Sequence, residues 1–173
     1  MCNKFKIAFL DRDGTIIKDY PDKQWATVKY PEFLEGAIAG MQRLLSLGFK
    51  IIIVTNQYLI SDKIITTEQY HQFTDLFLQE CKDNEIDILR IYYCPHNDKD
   101  HCNCNCKKPR PGMIYQALAD YNIDLSKSIY LGDSECDYQL AKQFHLPFYA
   151  ITTTFNQKDV VNCKSILDVC QYL

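Results

Sequence analysis

The 173-residue chain has no apolar run of about 18 residues, the length a membrane-spanning helix needs. No membrane partner is expected. Its first residues, MCNKFKIAFLDRDG, break into charge after a short apolar run. They have neither the long apolar core nor the small-residue cleavage site of an export signal, so the expected compartment is the cytoplasm. An excess of positive charge is also missing. Lys and Arg number 19 against 22 Asp and Glu, a net charge of −3. A protein that coats nucleic acid is usually strongly basic, so no nucleic-acid partner is expected. The nine cysteines are odd in number, in a chain larger than most disulfide scaffolds, and reduced thiols are the default. Internal repeats, low-complexity tracts and linkers are absent. The length suits one domain, 1–173, and the expectation is a monomer.

What is present is an ordinary globular composition. With 47% hydrophobic and 24% charged residues, the chain can bury a core without staples. Short apolar runs at 5–10, 49–54, 88–93, 128–131 and 147–151 read as strands. Between them lie helical patterns. Residues 33–47 repeat apolar side chains at Leu34, Ala37, Ile38, Met41, Leu44 and Leu45, a helical period closed by Gly48. Thr66 and Gln69 form a capping-box signature for a helix over 67–82. Pro111 suits the first turn of a helix running to about 121. Further helices are expected over 134–144 and 164–172. Strands that alternate with helices predict an α/β fold with a doubly wound, Rossmann-like parallel sheet. In such a sheet the site lies beyond the carboxyl ends of the strands. Asp11 and Asp13, Thr55 and Asn56, Cys94 and His96, and Asp133 all follow strand ends, so they should share one edge.

Several carboxylates converging there repel one another and call for a cation. Oxygen-only, acid-rich ligation suits Mg²⁺. A carboxylate can attack phosphorus to give an aspartyl-phosphate, and a second acid can pass the proton. Thr55, Asn56 and Lys108 would supply donors and charge to the phosphoryl group. Taken singly, each piece has a bland reading, as a solvated turn, a cap or a surface lysine. Together, at four strand ends, they point to phosphoryl chemistry.

FLDRDGT at 9–15, VTNQ at 54–57, KKPRPGM at 107–113 and LGDSECD at 131–137 occur in this order. With them the chain resembles the haloacid dehalogenase (HAD) superfamily of phosphatases, in the branch of the heptose-1,7-bisphosphate 7-phosphatases and histidinol-phosphate phosphatases. The resemblance implies a HAD-like fold without a large cap domain and a small phosphorylated metabolite as substrate. It makes Asp11 the nucleophile and Asp13 the general acid/base. Mg²⁺ would be held by Asp11, Asp133 and Asp13, the last through its backbone carbonyl. Thr55 and Asn56 would hold the phosphoryl group, and Lys108 would neutralise charge. Lys107 and Asp19 would contact substrate, and Asp137 would stand behind the metal ligands.

Cys94-x-His96 and Cys104-x-Cys106 form a Cys₃His set that suits a closed, structural Zn²⁺ site, since thiolates and imidazole select zinc over magnesium. Such a site would brace the loop that carries Lys107 and Lys108. The branch has the same pattern before its lysine motif, which favours Cys104 and Cys106, with His101 and Cys102 as alternatives.

The chain departs from that branch in three places. YLISDKII follows VTNQ, Ser134 stands where many of these enzymes have a lysine, and KDYPDKQWATV replaces a polar turn. The expected substrate is D-glycero-D-manno-heptose 1,7-bisphosphate, losing its 7-phosphate; because of these departures, histidinol phosphate and another phosphomonoester stand as alternatives. A phosphorylation-switch receiver is disfavoured, because its acceptor would follow the third strand, where Cys94 stands. A zinc-stabilised binding module with an idle acidic site is the non-enzymatic alternative.

Overall fold

The structure, a computed structural model, describes residues 4–97 and 103–173. His101 and Cys102, the alternative zinc ligands, lie outside the described residues. Six strands form one parallel sheet: β1 (Ile7–Leu10), β2 (Lys50–Asn56), β3 (Ile88–Cys94), β4 (Ile129–Gly132), β5 (Phe148–Ile151) and β6 (Val160–Cys163), in the order β3-β2-β1-β4-β5-β6. The helices are α1 (Ala37–Ser46), α2 (Thr67–Asp83), α3 (Gly112–Asp120), α4 (Glu135–Gln143) and α5 (Ile166–Val169).

The sheet is buried on both sides, as the continuous apolar strands require. Along β1, Ala8 and Leu10 face the core shared with α1, α2 and α5. Ile7 and Phe9 face the core shared with α3 and α4. This is the doubly wound arrangement expected. Gly40 of α1 lets α5 dock closely, because a Cβ there would lie 2.5 Å from the backbone nitrogen of Leu167.

The capping box of α2 forms as read: Gln69 N–H donates to Thr66 Oγ1 at 3.1 Å and Thr66 N–H donates to Gln69 Oε1 at 2.8 Å. Two expectations shift. The first helix begins at Ala37 rather than residue 33, because Phe33 bridges to Ile17 and Leu34 N–H donates to the Ile16 carbonyl. The last helix spans only Ile166–Val169, and ahead of it β6 pairs with β5 as an unforeseen edge strand. The chain reverses direction across the sheet between β1 and β4, which are direct neighbours. Their carboxyl ends mark the crevice where this fold binds ligands.

Candidate active site

Asp11 follows β1 and is buried. Lys108, also buried, reaches it from the loop before α3. Its ammonium donates to Asp11 Oδ1 at 2.5 Å, to Asp137 Oδ1 at 2.7 Å and to the Val54 carbonyl at 2.8 Å. Burial alone would lower the lysine's pKa, but Asp11 and Asp137 outweigh it and hold that pKa well above the usual range. On Asp11, burial raises the carboxyl's pKa and Lys108 pulls it back. Asn56 grips the same lysine through its backbone: its Oδ1 accepts the Lys108 N–H at 2.9 Å, and its Nδ2 donates to the Lys108 carbonyl at 3.2 Å. Both ends of the Asn56 amide are therefore engaged in placing Lys108.

Asp137 is fully buried. Its Oδ1 accepts from Lys108 and, at 2.9 Å, from the Tyr130 hydroxyl. Its Oδ2 accepts from the backbone and hydroxyl of Ser134, closing a capping box on α4. Ser134 thus has a structural partner in Asp137.

Asp133 lies beside this group. The carboxylates of Asp11, Asp133 and Asp137 offer oxygens within 4.8 Å of one another. Gly14, at φ +86°, permits the approach, since a Cβ there would stand 2.2 Å from Asp133 Oδ2. Burial, then the charge of Asp137, pushes the Asp133 carboxyl up to about 7. Asp11 and Asp137 share the Lys108 ammonium and Asp133 stands beside them, so the group carries surplus negative charge that a small hard cation would offset. With Asp137 satisfied by its donors, Asp11 and Asp133 are the oxygens that fit such an ion.

The Asp13 carboxylate has a separate set of donors. It accepts from Arg12 Nε at 2.8 Å and from the same guanidinium's second nitrogen at 3.1 Å. Gln57 Nε2 donates to it at 2.6 Å and also to Thr55 Oγ1 at 2.9 Å. Thr55 keeps its hydroxyl hydrogen as a donor.

These groups line a cavity of about 200 Å³ that holds Asp11, Asp13, Thr55, Asn56, Lys108 and Asp133 together. Asp19 and Trp25 border it too, and the Trp25 indole donates to Asp19 at 3.2 Å. At the rim the Tyr58 hydroxyl donates to Asp22 at 2.8 Å, tying the loop after β1 to the loop after β2. Lys107 is not among the cavity's walls; its ammonium stands 5.7 Å over the Tyr58 ring. Arg12, Gln57, Asp22 and Tyr58 went unassigned in the sequence. Arg12 and Gln57 both lie inside quoted motifs, and a charge placed between two aspartates was the available signal.

Cys94, His96, Cys104 and Cys106 gather as a second ligand group. Zinc bonds of about 2.3 Å to sulfur and about 2.0 Å to nitrogen, at tetrahedral angles, put sulfurs about 3.8 Å apart and sulfur and nitrogen about 3.5 Å apart. Cys94 and Cys104 Sγ lie 3.8 Å apart, and His96 Nδ1 lies 3.5 Å from both Cys94 and Cys106. The Cys94–Cys106 edge, at 2.8 Å, is shorter than that spacing and longer than the roughly 2.05 Å of a disulfide. The donor set fits zinc.

The doubly wound sheet with an Asp–Lys–Asp cluster at its switch point has the fold of HAD hydrolases, and the family match and named relatives make the chain a phosphatase, a phosphoric monoester hydrolase. More narrowly, the chain belongs to the polynucleotide kinase 3 phosphatase family, which it matches over residues 6–164. A protein of Thermoplasma volcanium named probable D-glycero-D-manno-heptose-1,7-bisphosphate 7-phosphatase is 42% identical over 146 residues, covering 83% of this chain and 96% of that one. The D-glycero-beta-D-manno-heptose-1,7-bisphosphate 7-phosphatase of Escherichia coli K12 is 34% identical, covering 82% of this chain and 75% of its own. The same fold occurs in the D,D-heptose 1,7-bisphosphate phosphatase of B. bronchiseptica, solved with magnesium and phosphate. Its TM-score is 0.84 at 24% identity, with 97% of each chain covered.

Proposed function

We propose that residues 1–173 act as one catalytic domain that removes the 7-phosphate of D-glycero-D-manno-heptose 1,7-bisphosphate through an aspartyl-phosphate on Asp11. The observation that carries the chemistry is the buried Asp11–Lys108 contact of 2.5 Å at the floor of the acid-lined cavity. The names of the relatives support the substrate.

In the first half-reaction an Asp11 carboxylate oxygen attacks phosphorus. The phosphorus–oxygen ester bond breaks, and Asp13 delivers its proton to the departing sugar oxygen. In the second, Asp13 takes a proton from water, whose oxygen attacks phosphorus, and the Asp11–phosphate bond breaks to release inorganic phosphate. Thr55 donates its hydroxyl to the phosphoryl oxygens, and Asn56 acts beside it by fixing Lys108. Lys108 offsets negative charge as the phosphoryl group moves. Asp19 and Lys107 meet the sugar end. Asp11, Asp133 and the Asp13 backbone carbonyl would hold Mg²⁺, which supplies charge neutralisation at the phosphoryl oxygens when bound. Cys94, His96, Cys104 and Cys106 would hold a structural Zn²⁺ that braces the loop carrying Lys108.

A phosphate-release screen in Mg²⁺ tests this. It compares heptose 1,7-bisphosphate, histidinol phosphate, other sugar phosphates and 3′-phosphorylated oligonucleotides. The heptose bisphosphate should show the highest kcat/KM. A clear preference for another compound would replace this substrate assignment.

A further inference from the structure

Arg12 lies between the two aspartates of the first motif, and its side chain is buried. Its guanidinium stands over two rings, 5.5 Å from the centroid of Tyr70 and 5.3 Å from that of Phe73, and donates to Thr74 Oγ1 at 3.4 Å. Three contacts to α2 therefore fix a rigid fork, and the fork meets Asp13 with two parallel hydrogen bonds, the strongest and most directional form of this pair. Gln57 adds a third donor, at 2.6 Å. Among the described residues, Asp13 Oδ2 thus accepts from both Arg12 and Gln57, whereas Oδ1 accepts from Arg12 alone. A carboxylate oxygen has about two acceptor positions, so one on Oδ1 is left, and the Asp13 side chain keeps 17% of its surface.

We propose that Arg12, with Gln57, is the positioning device for the proton-transfer group of the reaction: it locks the Asp13 carboxylate so that Oδ1 is the oxygen that faces the leaving group. The inference rests on the phosphatase reading and adds residues and an atom that its mechanism leaves unspecified. Neither Arg12 nor Gln57 needs to touch the substrate for this. A misplaced proton donor penalises poor leaving groups, such as a sugar alkoxide, far more than good ones, such as nitrophenolate, which departs without a proton.

The test compares kcat/KM, which reports the first half-reaction, for the best alkyl phosphate of the screen above and for p-nitrophenyl phosphate. The variants are Arg12→Lys, which keeps the charge and loses the fork, and Gln57→Leu, which leaves Arg12 in place should the buried lysine fail to fold. Thermal melting reports folding. For each folded variant the alkyl substrate should lose on the order of 10²-fold and the aryl substrate only a small part of that. Equal losses on both substrates, or no loss on either, would overturn the assignment. A wild-type chain inactive on both would overturn the phosphatase reading, and this inference with it.

Discussion

Gly14 is the residue that lets Asp133 close on the turn after β1. Its left-handed φ of +86° is one that L side chains rarely adopt, and the space a methyl group would need is taken by Asp133 Oδ2. Gly14→Ala should therefore displace Asp133, one of the oxygens that fit a cation. Displacements on the ångström scale cost about 10²-fold in rate. The variant is expected to lose turnover on that order and to need more Mg²⁺ for half-maximal activity, as a magnesium titration of phosphate release would record. At this scale the sequence was informative about types and poor about partners. Asp11, Asp13, Thr55 and Asp133 could be placed at strand ends from the text alone, because strand ends in a parallel sheet share an edge. That Asn56 spends its amide on the Lys108 backbone, or that Asp13 turns to Arg12 and Gln57, depends on side-chain directions that no spacing encodes.

Among the elements, α2 was the most legible. Its capping box is local chemistry, written in four consecutive positions, and it formed as read. Thr66→Ala should cost about 1 kcal/mol, seen as a lowered melting temperature, with activity per folded molecule retained, since the cap lies outside the cavity walls. The opposite case is α1. Its apolar period continues back through Phe33 and Leu34, yet both pair with Ile16 and Ile17, and a tertiary backbone contact overrides the local pattern. The edge strand β6 escaped because only the outer two positions of VVNC are buried, whereas the equally short β1, β4 and β5 are buried throughout. The loop between β3 and α3 was legible through its ligand spacing, and the structure brings Cys94, His96, Cys104 and Cys106 together.

For the whole molecule, the two ligand groups divide the labour. A zinc at the sulfur cluster would hold Cys106 two residues ahead of Lys108, whose backbone Asn56 bonds and whose ammonium reaches Asp11. Structural zinc is part of the folding free energy of such a loop. Metal analysis of protein purified without chelators should find about one zinc per chain, and Cys106→Ser should lower both the zinc content and turnover. A zinc-free preparation with full activity would refute the bracing role. The acid cluster, by contrast, would take a hard, exchangeable ion under the proposed function. Turnover should fall in excess EDTA and return on adding Mg²⁺.

All of this converges on one buried carboxylate. Asp11→Asn keeps the shape of the side chain and removes its charge, so the Lys108 loop still has Asp137 and the Val54 carbonyl to hold it. The decisive measurement is the rate of phosphate release by this variant in saturating Mg²⁺, beside wild type. The account predicts a folded protein with a wild-type-like melting profile and no detectable turnover. A variant that releases phosphate at the wild-type rate would contradict it.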